Sequence, residues 1–115
     1  MLVQPKTGAH RAGVDALLLS ACVADGFDGH LADLGSGSGA ASLAVLSRCE
    51  KARASLFEIS ETMVELARQT KAQSNNAHLA DRVDIHLADI TANGMKRAES
   101  GLSPNTFDWG IANPP

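Results

Sequence analysis

Aromatic side chains are scarce: Phe27, Phe57, Phe107 and Trp109 are the whole set, with no tyrosine, or 3% of 115 residues. A core with so few rings is filled by Ala, Leu, Val and Ile, which suits helices packed on a parallel sheet and excludes an aromatic-rich β-sandwich. Cysteine is limited to Cys22 and Cys49. They share no CxxC or other ligand spacing, so they fit buried inert thiols in a reducing cytosol better than a disulfide scaffold. Positive charge is in deficit, ten Lys and Arg against thirteen Asp and Glu, giving a net charge of −3. Diffuse attraction to polyphosphate is therefore not a source of affinity, and any nucleic acid needs another grip. Long apolar runs are missing too. The longest, Ala16 to Ala24, is interrupted by Ser20 and is about half of the ~20 residues that a membrane span needs. The opening Met1-Leu2-Val3-Gln4-Pro5-Lys6 has no long apolar segment behind a basic start, so no secretory leader is expected, and a soluble cytoplasmic chain of one small domain is.

What is present alternates between helix and strand signals. Asp15 is a good N-cap for a buried helix over Ala16 to Ala24. Leu31 to Leu34 reads as a strand that runs into Gly35-Ser36-Gly37-Ser38-Gly39, and Ala40 to Arg48 reads as a helix. Ala54 to Phe57 is a second strand, closed by Glu58 and Ile59. Ser60 caps a helix over Glu61 to about Ser74, with Met63, Leu66, Ala67 and Thr70 inward. Val83 to Leu87 alternates as a third strand that ends at Asp89, and Phe107 to Ala112 is a fourth. Between Asn93 and Thr106 only Met95 to Glu99 hints at helix, so that long connection is expected to be mobile or functional.

Such alternation implies right-handed crossovers and a parallel sheet with helices on both faces, where ligands sit beyond the strand carboxyl ends. Gly35 to Gly39, Glu58, Asp89 and Asn113 to Pro115 therefore belong to one rim. Gly35-Ser36-Gly37-Ser38-Gly39-Ala40 has the G-x-G-x-x-G/A spacing that lets a backbone turn tightly against a nucleotide-like ligand. Glu58 follows after about 20 residues, where a carboxylate accepts both hydroxyl hydrogens of a ribose. Together they indicate an adenosine-bearing cofactor. Asp33, just before the loop, separates two classes. Its charge opposes the pyrophosphate of NAD but attracts the sulfonium and ammonium of S-adenosylmethionine. Asp89 is a candidate acceptor for the adenine amino group, with the Ile90 backbone reading the ring edge, or else a cap for the next turn. The histidines, His10, His30, His78 and His86, have neither metal-ligand spacing nor a carboxylate partner that makes one a general base. No metal is expected.

Asp33-Leu34-Gly35-Ser36-Gly37-Ser38-Gly39 followed by Glu58 resembles the first motifs of the class I S-adenosylmethionine-dependent methyltransferases, over nearly the whole chain. Asn113-Pro114-Pro115 resembles the Asn-Pro-Pro-aromatic signature of the subgroup that methylates amino nitrogens. The segment from Gln4 to Leu18 is similar to the opening of the bacterial tRNA1(Val) adenine-N6-methyltransferases. The resemblance implies an α/β, Rossmann-like class I methyltransferase fold of parallel strands and flanking helices, truncated here after the fourth strand. Residues 1–115 would be the cofactor-binding part of one domain. It also implies S-adenosyl-L-methionine as cofactor, held by Arg11, Asp33, Gly35, Ser36, Gly37, Gly39, Glu58, Ile59, Asp89 and Ile90. Arg11 reaches either the methionine carboxylate or an RNA phosphate, unless it is a plain surface residue.

By the same resemblance Asn113, Pro114 and Pro115 are catalytic, and tRNA is the substrate, engaged through a C-terminal half not contained in this sequence. Methyl transfer is in-line and needs alignment more than a covalent intermediate. The Asn113 side-chain oxygen and the Pro114 carbonyl would hold the hydrogens of the amino group and stabilise charge arriving at nitrogen. The fragment alone is expected to be inactive, and its fourth strand, left as an edge, to favour self-association. Release-factor glutamine, the guanine amino group and a non-catalytic cofactor-binding module are the competing readings.

Overall fold

The computed structural model describes residues 14–103 and 106–112. Four parallel strands, β1 (His30–Leu34), β2 (Arg53–Glu58), β3 (Val83–Leu87) and β4 (Trp109–Ala112), form one sheet in the order β3-β2-β1-β4. Among the described residues five helices accompany them: α1 (Val14–Ala21), α2 (Ala40–Arg48), α3 (Glu61–Ala72), α4 (Ala77–Ala80, preceded by a 3-10 turn at Ser74–Asn76) and α5 (Gly94–Glu99). The α/β class and the parallel sheet are as the alternation required.

Strand burial follows position in the sheet. Central β2 is buried from Ala54 to Phe57, whereas the outer strands β3 and β4 bury only single positions, the pattern expected when helices cover a parallel sheet. On one face Leu31, Ala54, Leu56, Val83 and Ile111 pack under Val45 and Leu46 of α2. Burying each Leu or Val there contributes roughly 1.5–3 kcal/mol. The opposite face carries Ala32, Phe57 and Ala88 under Ile90, Leu102 and Phe107, so the long connection after β3 closes the back of the sheet. There His86 stacks on Phe57 with ring centroids 4.8 Å apart, and Phe107 meets both Phe57 and His30 edge-on.

Local expectations mostly stand, with four corrections, the plainest being that Cys22 is exposed while only Cys49 is buried. The first helix is shorter than Ala16 to Ala24 and is not buried all round. Asp15 lies inside its first turn, Ala16 and Ser20 face the core, and Leu17 and Leu18 are more than 60% exposed. A continuous apolar run cannot say which face finds a partner, and here only the face toward α2 does. In α3 Ser60 is the N-cap, accepting from the Met63 amide, but Val64 rather than half-buried Leu66 completes the buried stripe of Met63, Ala67 and Thr70. The short helix α4 carries no strong periodic signal and escaped the sequence reading. Arg82 explains part of the turn after it, donating to the carbonyls of Cys49 and Ala52 at 2.9 and 3.0 Å and to Leu46 at 3.2 Å, so it caps the end of α2. Among the described residues no helix is long and apolar enough to cross a membrane.

Candidate functional site

The strand order reverses direction at β1. From it the chain moves outward to β2 and β3, then returns by the long connection to pair β4 on the other side. In open α/β sheets the crevice at such a switch point is where ligands bind. Leu34 ends β1 opposite Phe57 of β2 and Ala112 of β4, and the glycine loop starts at the next residue. The Phe57 carbonyl accepts both the Gly35 amide at 2.8 Å and the Ser36 amide at 3.1 Å, which turns the loop over the end of β2.

Gly35, Gly37 and Gly39 have φ of 70°, 58° and 92°, left-handed values that L side chains rarely adopt. At Gly39 a Cβ would also lie 2.8 Å from Leu56 Cδ2, so the N-terminus of α2 sits against β2 only because the side chain is missing.

Glu58 ties the loop to the second strand. Its Oε1 accepts from the Gly37 amide and its Oε2 from the Ser60 amide, both at 2.8 Å. Each oxygen keeps a lone pair, so the carboxylate is oriented yet still able to accept from a ligand hydroxyl. Asp33 is 2% exposed and accepts from Ser42 Oγ at 2.6 Å. Burial, with a smaller contribution from Glu58, pushes its carboxyl from the ordinary 3.8 up to about 6, against the pull of Ser42.

Asp33, residues 35–38, Ala16 and Leu19 of α1 and Met63 of α3 line one cleft, with no Lys or Arg among the lining residues. Asp33 in the lining, Glu58 bound to the Gly37 amide beside it and no cation among the described lining residues suit a cationic ligand and oppose a pyrophosphate. Within the loop, Ser36 Oγ is the one buried side-chain polar atom among the described residues that lacks a hydrogen-bond partner. Buried polar groups are otherwise paired, so this orphan hydroxyl, the open glycine backbone and the oriented Glu58 fit a polar, hydroxyl-bearing ligand.

The structure thus brings together Asp33, Gly35, Ser36, Gly37, Gly39 and Glu58. Ile59 follows Glu58 and is 65% exposed. Asp89 is exposed beyond β3, where its Oδ1 accepts from the Thr91 hydroxyl and amide. Those bonds lower its carboxyl below the ordinary range and cap the turn, leaving the second oxygen for other contacts. The Ile90 side chain packs against the back-face cluster. Arg11, Asn113, Pro114 and Pro115 lie outside the described residues. Sequence reasoning missed Ser42 and Met63. The signal for Ser42 was a lone hydroxyl inside an Ala/Leu-rich helix, where serine is disfavoured unless it has a partner. Among the described residues no His, Cys, Asp or Glu cluster could hold a metal.

Comparison with known proteins agrees with this geometry. The chain is 32% identical over 111 residues to a tRNA1(Val) (adenine(37)-N6)-methyltransferase of Porphyromonas gingivalis, covering 93% of this chain and 41% of that protein. The chain therefore spans well under half the length of that curated relative. A crystal structure described as a predicted O-methyltransferase from Agrobacterium tumefaciens superposes with a TM-score of 0.81 at 42% identity, covering 87% of this chain and 48% of that one. Coclaurine N-methyltransferase bound to N-methylheliamine and S-adenosylhomocysteine superposes with a TM-score of 0.60 at 25% identity, covering 86% and 25%. The family model described as the methyltransferase small domain matches residues 11–115, and the chain belongs to that family.

Proposed function

We propose that the protein transfers a methyl group to an exocyclic amino nitrogen, with adenine in tRNA as the acceptor. S-adenosylmethionine is the cofactor; when bound it supplies an electrophilic methyl on a sulfonium. The observation that carries the reading is the register at the switch point. Leu34, one residue before the glycine loop, pairs with Ala112, one residue before Asn113. The ends of β1 and β4, which in the sequence precede the glycine loop and Asn113 respectively, therefore lie side by side at one edge of the sheet.

Glu58 would grip the ribose hydroxyls, Asp33 would face the cationic end, and the loop amides of residues 35–39 would approach the donor's backbone closely. Asp89, Ile90 and Ile59 would contact the adenine. Asn113 and Pro114 would accept the hydrogens of the substrate amino group. Its lone pair is delocalised into the ring and becomes nucleophilic only when acceptors draw the nitrogen toward tetrahedral geometry. Pro115 would hold that backbone rigid, and Arg11 would reach the methionine carboxylate or an RNA phosphate.

The tRNA reading draws on the Porphyromonas gingivalis relative and on the Asn-Pro-Pro segment. A hydroxyl acceptor is the second reading, favoured by the description of the 42% identical structure as a predicted O-methyltransferase. The experiment is transfer of a labelled methyl group by the product of the complete gene, offered tRNA, release factor and phenolic or catecholic hydroxyls separately. Label in tRNA adenine is the expected result. Label confined to hydroxyls or to glutamine would replace the acceptor, and cofactor binding without transfer to any would reduce the protein to a binding module.

A further inference from the structure

Helix interiors seldom bury a serine, because its hydroxyl competes for backbone groups and needs a partner. Elsewhere in this chain helical hydroxyls take the local solution: Ser47 Oγ donates to the Leu43 carbonyl at 2.8 Å and Thr70 Oγ1 to the Leu66 carbonyl at 3.0 Å. Ser42 reaches across instead. Fully buried in α2, it donates at 2.6 Å to Oδ2 of Asp33 on β1, a length typical of a hydroxyl bound to an ionised carboxylate. Asp33 is itself buried, yet it lines the cleft beside the glycine loop.

From this geometry, and resting on the cofactor reading above, we propose that Ser42 is a positioning residue: its hydroxyl pins one oxygen of Asp33 and keeps that group charged at neutral pH, so that the cleft presents a fixed anion to the cofactor's cationic end.

The other influences on Asp33 favour its neutral form. Burial is the largest and Glu58 on β2 adds repulsion, while Ser42, through hydroxyl and backbone, opposes both. No cation of the described residues is among the influences on Asp33. The one ionisable residue of α2 is Arg48, at its far end and paired with Asp25. On β4 Trp109, Gly110, Ile111 and Ala112 carry no ionisable group. The acids nearest the starts of α1 and α3, Asp15 and Glu61, are exposed. Loss of the Ser42 hydroxyl therefore raises the Asp33 midpoint by on the order of one to two pH units, to neutral pH or above.

The test uses the product of the complete gene with Ser42→Ala, and Ser42→Cys as a near-isosteric weaker donor. The Asp33 carboxyl carbon is titrated by NMR in the free protein, and affinity for S-adenosylmethionine is measured by calorimetry at pH 7 and pH 8.5 as the ratio of wild type to variant, which cancels the cofactor's own titration. The midpoint is expected to rise by about one unit or more in Ser42→Ala and by less in Ser42→Cys. The affinity ratio is expected at about two- to tenfold at pH 7 and near one at pH 8.5. An unmoved midpoint overturns the proposal, and so does a ratio equal at both pH values, which marks a packing defect. Because the titration needs no cofactor, absence of binding at either pH would remove the cofactor reading, while the midpoint alone would then decide the role of Ser42.

Discussion

The Gly37 amide donates to Glu58 Oε1 at 2.8 Å across 21 residues of sequence. One carboxylate thereby sets the shape of the glycine loop and stands ready at the cleft, so the loop and the end of β2 act as one unit.

Substituting Glu58 separates these roles from bulk stability. In Glu58→Gln an amide NH2 replaces one oxygen and confronts a backbone N–H of Gly37 or Ser60. Loss of one charge-assisted bond is worth roughly 1.5–3 kcal/mol, so S-adenosylmethionine affinity should fall about ten- to hundredfold. Calorimetric titration checks this, and unchanged affinity would detach Glu58 from the cofactor.

At Gly39 the backbone leaves no room for a side chain. Gly39→Ala combines a φ of 92° with a Cβ 2.8 Å from Leu56 Cδ2, and about 1–3 kcal/mol of stability should be lost. Gly26→Ala, whose Cβ would meet nothing within 4 Å, should be neutral or slightly stabilising. Urea unfolding of the two variants side by side makes the comparison.

Asp33 makes stability depend on pH with a definite sign. Its folded pKa, about 6, lies above the ordinary 3.8, so its favourable contribution is complete below about pH 4 and is lost as pH rises through about 6. Asp33→Asn avoids burying the charge. The variant should be more stable than wild type at pH 8, by on the order of 2–3 kcal/mol, and close to it at pH 4, while binding the cofactor more weakly. Thermal unfolding at the two pH values reads the difference; equal gains at both would mean that Asp33 does not titrate in this range.

Asn113 is expected to act on turnover. With the complete gene product, Asn113→Ala should lower the rate of methyl transfer by about 10²–10³-fold, as loss of a single charge-stabilising group does elsewhere, and leave cofactor affinity within about twofold of wild type. Single-turnover kinetics with a parallel binding assay distinguishes the two, and a variant with wild-type turnover would remove Asn113 from the reaction.

Much of this architecture is legible in the residues because local chemistry constrains it. Ser60 is a favoured cap, glycines at 35, 37 and 39 permit a turn that other residues resist, and Val83 to Leu87 alternates with a period of two. Helix α1 departs from its sequence expectation for the opposite reason: a nearly continuous apolar run has no phase, and burial of Ala16 and Ser20 with exposure of Leu17 and Leu18 depends on where α2 lies. Asp89 shows the same limit, since the residues allowed either a cap or a ligand contact and Thr91 takes up one oxygen.

By itself the sequence determined the alternation of elements, the loop at 35–39 and the two acids beside it, because spacing, capping and backbone permissiveness are properties of neighbours along the chain. Only the tertiary structure decided that Ser42 would meet Asp33, that Gly37 would bind Glu58 and that Leu34 would align with Ala112. Those contacts depend on the register between strands and on the rotation of α2 about its axis, which are set by how side chains from distant segments fill a common core.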